Sequence, residues 1–424
     1  MTFVDLALVF LFLLVALNYR VHRSVLYPPF IFSGLWFVDL TIFRTGLIEL
    51  NPLHGNTLAI VASGALFFSA GGFLASMVPQ TLLRMHLFPR EQKRTGHFLP
   101  DALLILLLCG LPLMLYEVLQ LSNSIRSRDL FLAQARQVIV EASQSGQQSA
   151  PMLLLSYFVM AATYTALLFA IDRKDWRVWV VNSIAIIACI LSTGRTELLF
   201  LISGLSAIRL LRRKKESLSS AIWLLRWPVI IFVSLWIGLE FTNKSSDGAN
   251  SGAANVATHY ALIYVSGPLA AFDSVVQHPA EFTGSASHTF SYPWKLAAAL
   301  HLAPRKELAT FDTFVPVPFP INVYTVFKYD FLELGITGTL ALFLFLGLLH
   351  SLLYLKSKEG GRFSAYLFAT SMYAVLMVTF DDEYFLTGLN PHAIAFGLLY
   401  FFISSVQLRL FSNRERAPML ASAG

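Results

Sequence analysis

The sequence predicts an all-α polytopic integral membrane protein of about eleven transmembrane helices, N-terminus outside and C-terminus inside, with a large outer-loop cap. Three observations predict it. The 424 residues are 56% hydrophobic and only 13% charged, with a mean hydropathy of +0.63. Soluble domains carry about 25% charged residues, and a soluble chain this apolar lacks the polar groups to cover its surface. Apolar runs long enough for a bilayer core, about 17–25 residues each, recur along the chain. The basic residues between those runs sort to alternate gaps, as the positive-inside rule requires. This composition excludes a disordered chain, a coiled coil and a disulfide-stapled domain. Cys109 and Cys189 both fall inside apolar runs and read as small membrane-helix residues.

The spans lie near 2–19, 28–48, 57–78, 101–121, 151–171, 176–192, 195–211, 220–241, 331–355, 363–381 and 392–411. The first is an anchor and not a cleaved leader, because Arg20, His22 and Arg23 follow it and no basic region precedes it. Runs such as LLILLLCGLPLML at 103–115 do not alternate, which excludes a β-barrel. With the N-terminus outside, 20 of the 31 Lys and Arg residues fall on the inner side. They include Arg84, Arg173, Arg177, Lys356, Lys358 and Arg362. The net charge of +6 therefore reflects orientation and anionic lipid, and nucleic-acid binding is not expected. Residues 1–424 form one transmembrane domain with two long outer loops, 122–150 and 242–330. The first has a candidate amphipathic helix over Asp129–Ala142, on which Arg128 and Arg136 either face one groove or are simply solvated. The second contains an apolar stretch at 259–276, too short and too broken at Gly267–Pro268 to span. Its aromatic and apolar content predicts a folded cap on the outer leaflet.

Charge within spans is costly unless it meets a partner or a wet cavity. Arg44, Glu117, Arg195, Glu197, Glu240, Glu333 and the run Asp381–Asp382–Glu383 all map to outer halves, with Asp39 nearer mid-span. That one-sidedness favours a polar cleft open to the outside over a path through the membrane. Arg195, after Gly194, opens the seventh span. A helix N-terminus offers free N–H groups, and an arginine fork suits phosphate oxygens. Pairing of Arg195 with Glu197 or a lipid headgroup is the competing reading.

Four stretches resemble the bacterial oligosaccharide repeat-unit polymerases, the O-antigen polymerase (Wzy-type) family. They are PPFIFSGLWFVDL (28–40), STGRTELLF (192–200), YVSGPLAAFDSVVQHP with Gly284 and Phe290, and NVYTVFKYDFLELGITG (322–338). The last is also similar to a segment of the O-antigen ligases, matching at Gly335 and Gly338, but Tyr324, followed by Thr325, replaces the ligase histidine. The resemblance implies an integral-membrane glycosyltransferase (GT-C-like) fold in the bacterial inner membrane, working at the periplasmic face without a metal or other cofactor. It implies transfer of a growing glycan from undecaprenyl pyrophosphate to a sugar hydroxyl of another lipid-linked repeat unit. The expected partners are these lipid-linked glycans, the bilayer and a chain-length regulator protein. Arg195 and Tyr324 are the expected catalytic residues. Arg128, Arg136, Tyr260, Tyr264, His288, Lys328 and Asp382 are the expected substrate-binding residues. His259, Asp273, Glu281, His288 and Asp382 are open candidates for the base. Ligase-type transfer to lipid A core and a lipid-linked oligosaccharide flippase are the alternatives.

Overall fold

The computed structural model describes residues 2–85, 87–88, 98–123, 150–192, 195–213, 219, 253–282, 288–304, 313–384 and 390–421. Among these, the side chains at 98, 121–123, 150–151, 195, 253–261, 264 and 407–421 are not described. The described residues are mostly helical and include one two-stranded hairpin. Among the described residues five helices, Phe3–His22, Gly55–Ser76, Leu99–Gln120, Met152–Asp172 and Phe327–Lys358, are long and apolar enough to cross a membrane. Trp176–Leu191 and Pro391–Val406 are shorter and apolar. The expected spans at 28–48, 195–211 and 363–381 are helical over Pro28–Thr45, Arg195–Leu211 and Arg362–Leu376. The expected span at 220–241 and the candidate helix Asp129–Ala142 lie outside the described residues.

The chain divides into two compact units. The first comprises Met1–Val78, Arg209–Tyr354 and Ser371–Asn390. It begins with α1 (Phe3–His22), α2 (Pro28–Thr45) and α3 (Gly55–Ser76). Thr2 starts α1 with a capping box: its hydroxyl accepts from the Asp5 N–H (3.2 Å) and its N–H donates to the Asp5 carboxylate (2.7 Å). Asp5 also accepts from Arg44 Nε at 2.9 Å, joining α1 to the end of α2. Deeper in, the buried Asn18 amide lies within hydrogen-bond reach of Pro29 O, Ser33 Oγ and Ser69 Oγ, which ties all three helices. In an apolar surrounding such a polar knot fixes register, because any slip strands its donors.

The helix α9 (Ala253–Gln277) follows α4 (Gln80–Leu83), α5 (Phe98–Asn123), α6 (Ala150–Asp172), α7 (Trp176–Leu191) and α8 (Arg195–Leu211) in chain order. It runs unbroken through Gly267–Pro268, where the sequence predicts an interruption. Pro268 removes one helical hydrogen bond, but tertiary packing outweighs that loss. Leu269, Ala270, Ala271, Phe272 and Val275 are buried, and α9 packs on α2 and α3. Asp273 anchors it there, accepting from the His54 N–H (3.0 Å) and the Thr57 hydroxyl (2.6 Å), with His54 Nδ1 at 2.8 Å.

After α10 (Ser291–Ala299) come the strands β1 (Val315–Pro316) and β2 (Pro320–Ile321), paired antiparallel. The chain then enters α11 (Phe327–Lys358), which is not straight. Gly335 has φ +65° and ψ −177°, a conformation open essentially to glycine alone. The Phe327 and Phe343 rings lie 4.7 Å apart, whereas a continuous helix would separate these residues by about 24 Å. The arm before Gly335 is therefore folded back along the arm after it. The later arm lies against α3, with backbones nearly touching. A Cβ on Gly71 would fall 2.0 Å from Leu344 O, and one on Gly347 2.0 Å from Phe68 O. Between them Phe32 and Phe68 stack at 4.3 Å, and Trp36 stacks on Phe327 at 5.3 Å.

The second unit comprises Pro79–Ile208, Leu355–Thr370 and Pro391–Gly424. In it α5, α6 and α7 pack together, joined by the ends of α12 (Arg362–Leu376) and α13 (Pro391–Ala421). Arg362 forks onto Asp172 (Nε to Oδ1 2.7 Å), Arg177 meets Asp101 at 3.1 Å, and Arg84 meets Glu359 at 3.1 Å. The Tyr366 hydroxyl donates to Ala393 O at 3.0 Å. Both cysteines are free thiols.

Candidate functional site

In the first unit, the reversal at Gly335 builds a site. The folded-back arm of α11 turns Asp330 and Glu333 toward residues 288–289, the i, i+3 spacing placing both on one helix face. Glu333 accepts from the backbone N–H of His288 at short range and from that of Thr289 at 3.3 Å. The Thr289 hydroxyl donates to Asp330 Oδ1 at 2.9 Å. These bonds clamp the cap segment onto the arm. The His288 ring then stacks flat on Tyr329, 3.6 Å between centroids and 7° between planes.

One turn earlier Lys328, only 4% exposed, sets its ammonium 3.7 Å from the Tyr324 ring centroid and 4.7 Å from that of Tyr329. A buried ammonium is expensive unless compensated, and two aromatic faces supply negative quadrupole on both sides. Tyr324 is fully buried, and its hydroxyl donates to Thr313 O at 2.7 Å. Its ring, rather than its hydroxyl, is thus what it presents to Lys328.

The third wall is the segment between α12 and α13. Val326 N–H donates to Val378 O at 3.0 Å, which draws this segment against the arm. Asp382 is 1% exposed, while Asp381 and Glu383 on either side are partly exposed. Its N–H donates to Asp381 Oδ1 (2.8 Å), and its own Oδ1 accepts from the Tyr384 N–H (3.1 Å). Tyr373 donates to Glu383 at 3.3 Å. His288 Nδ1 lies 3.9 Å from Asp382 Oδ2, beyond hydrogen-bond range. Burial pushes the Asp382 carboxyl well above the usual carboxylate range, and the neighbouring Asp330 charge pushes it further.

The structure therefore brings together four residues that the sequence singles out, Tyr324, Lys328, His288 and Asp382. It adds Asp330, Tyr329 and Tyr384, which the sequence does not single out, and Glu333, noted there only as a charge near a span end. Arg195 is the first residue of α8, the helix N-terminus the sequence predicts, with its side chain outside the described residues. Arg128 and Arg136 lie outside the described residues, as do the side chains of Tyr260, Tyr264 and His259. Asp273 is taken up in anchoring α9, and Glu281 is exposed on a 3-10 turn at Pro279–Glu281. No group of three or more His, Cys, Asp or Glu side chains among the described residues is arranged to hold a metal ion.

Chemically the cluster combines buried carboxyls, an imidazole, a ring-supported ammonium and aromatic rings. That set suits a polyhydroxylated ligand: acids take hydroxyl hydrogens, rings lie against sugar C–H faces, and a cation meets an acidic group. Comparison of the chain with protein-family models, with curated proteins and with solved structures returned no match.

Proposed function

We propose that this protein polymerises lipid-linked oligosaccharide repeat units at the periplasmic face of a bacterial inner membrane. In this reading a growing glycan leaves undecaprenyl pyrophosphate for a sugar hydroxyl of a second repeat unit. The observation that supports it is the convergence of Tyr324, Lys328, His288 and Asp382 around buried carboxyls.

The charges divide the labour. A recess holding Asp330, Glu333 and Asp382 repels a pyrophosphate but welcomes hydroxyl donors, so it takes the acceptor sugar. Arg195, which opens α8 in the second unit, is proposed on the sequence alone to stabilise the negative charge that grows on pyrophosphate as the sugar–phosphate bond breaks. Arg128 and Arg136 serve the second phosphate or the glycan. Holding two large lipid-anchored substrates in one orientation supplies much of the rate.

Two experiments test the reading. Purified protein in vesicles with synthetic undecaprenyl-pyrophosphate repeat units should yield a ladder of polymers, with and without chelator; no polymer rejects the proposal. In cells lacking their own copy, Arg195→Ala should abolish long surface glycan at unchanged protein level. A normal ladder would remove Arg195 from the mechanism.

A further inference from the structure

Three polar atoms deep in the recess have no hydrogen-bond partner among the described residues: Asp330 Oδ2, Asp382 Oδ2 and the Tyr384 hydroxyl. All three residues are at most 1% exposed. Native interiors leave few such atoms unsatisfied, and here the adjacent residues His288 and Thr289 reach Asp382 (3.9 Å) and Asp330 (2.9 Å), which brings the two carboxyls to one place. Each carboxyl has its other oxygen already committed, Asp330 Oδ1 to the Thr289 hydroxyl and Asp382 Oδ1 to the Tyr384 N–H. The committed oxygens hold the groups in place. The uncommitted ones are acceptors awaiting hydrogen.

We propose that Asp330 and Asp382 form the acceptor-sugar subsite, receive the hydrogens of its hydroxyls, and supply the carboxylate that takes the proton of the attacking hydroxyl. The inference rests on the polymerase reading and deepens it. Two buried carboxyls close together do not both ionise readily, and burial with the nearby Asp330 charge holds the Asp382 carboxyl above the usual carboxylate range. In the transfer step the acceptor oxygen bonds to the anomeric carbon of the growing glycan. The bond from that carbon to pyrophosphate breaks, its electron pair leaving on the phosphate oxygen. The hydroxyl proton passes to the carboxylate of the pair. Tyr384 positions the sugar through its uncommitted hydroxyl.

The test uses the full-length protein in vesicles, a saturating undecaprenyl-pyrophosphate donor, and a repeat unit on a non-cleavable lipid that serves only as acceptor. Asp330→Asn and Asp382→Asn keep size and hydrogen-bonding capacity while removing the charge. Each should lower kcat by about 10²–10⁴-fold, the range for a lost general base or its partner, with the donor KM unchanged. The double variant should be little worse than either single one, since groups acting as a unit are not additive. Tyr384→Phe should raise acceptor KM more than it lowers kcat. Thermal unfolding in detergent checks that each variant folds, and Asp382→Glu should recover part of the rate. If wild type polymerises and folded Asn variants match it, the pair merely holds buried water and the inference falls. If wild type makes no polymer, the polymerase reading itself falls.

Discussion

Lys328 shows how one side chain in this recess depends on its neighbours. Its ammonium rests between the rings of Tyr324 and Tyr329, and the Tyr324 hydroxyl is spent on Thr313 O. Tyr324 therefore acts as a platform. Tyr324→Phe keeps the ring and loses one hydrogen bond, so it should cost about 1 kcal/mol of stability and leave polymer length near normal. Tyr324→Leu removes the ring and should shorten the glycan ladder as severely as Lys328→Met. Equal defects in the Phe and Leu variants would overturn the platform role. Asp382 adds a pH signature. Its carboxyl is held well above the ordinary range by burial first and Asp330 second, so its charged form fills only as pH rises through that raised pKa. Polymerisation that needs the carboxylate should climb with pH and fade on acidification, and Asp382→Asn should flatten that climb in rates measured across a buffer series.

At the scale of elements, the decisive feature is the reversal of α11. Gly335 has open space around its missing Cβ, and so has Gly34 in α2, but only Gly335 has a positive φ. Gly335→Ala should therefore destabilise by about 1–3 kcal/mol through backbone strain. Gly34→Ala should be neutral or stabilise by up to about 1 kcal/mol through helix propensity. Unfolding temperatures in detergent distinguish the two. The reversal also marks where sequence reasoning stops. The run 331–355 is predominantly apolar despite Glu333, so hydropathy sees one helix, and a glycine at 335 does not by itself announce a φ of +65°. Tyr324 and Lys328 are each singled out through the family resemblance, but nothing in the sequence pairs them. Asp330 is not singled out, because its partner Thr289 lies 41 residues away in a cap whose docking no local pattern encodes. The same holds for α9, where packing of Phe272 and Val275 and the Asp273 anchor carry a helix through Gly267–Pro268 against local propensity.

For the molecule as a whole, the ion pairs bear on how the helices are threaded. Arg177–Asp101, Arg362–Asp172 and Arg84–Glu359 each join residues that the positive-inside count assigns to the inner side. Asp5–Arg44, His54–Asp273 and His288–Asp382 each join residues assigned to the outer side. The proposed threading puts these two groups of residues on opposite sides of the membrane, which labelling can test. Leu302, 78% exposed, follows α10 on the side of the recess, and Lys358 ends α11 at the opposite end. With Cys109 and Cys189 replaced by Ala, a membrane-impermeant maleimide should label Leu302→Cys in intact spheroplasts and Lys358→Cys only after permeabilisation. Both must label after permeabilisation, which controls for burial. The reverse pattern would turn the recess toward the cytoplasm. Asp330, Asp382 and His288 would then face the cytoplasm, and polymerisation at the outer face would have to be abandoned even with the cluster intact.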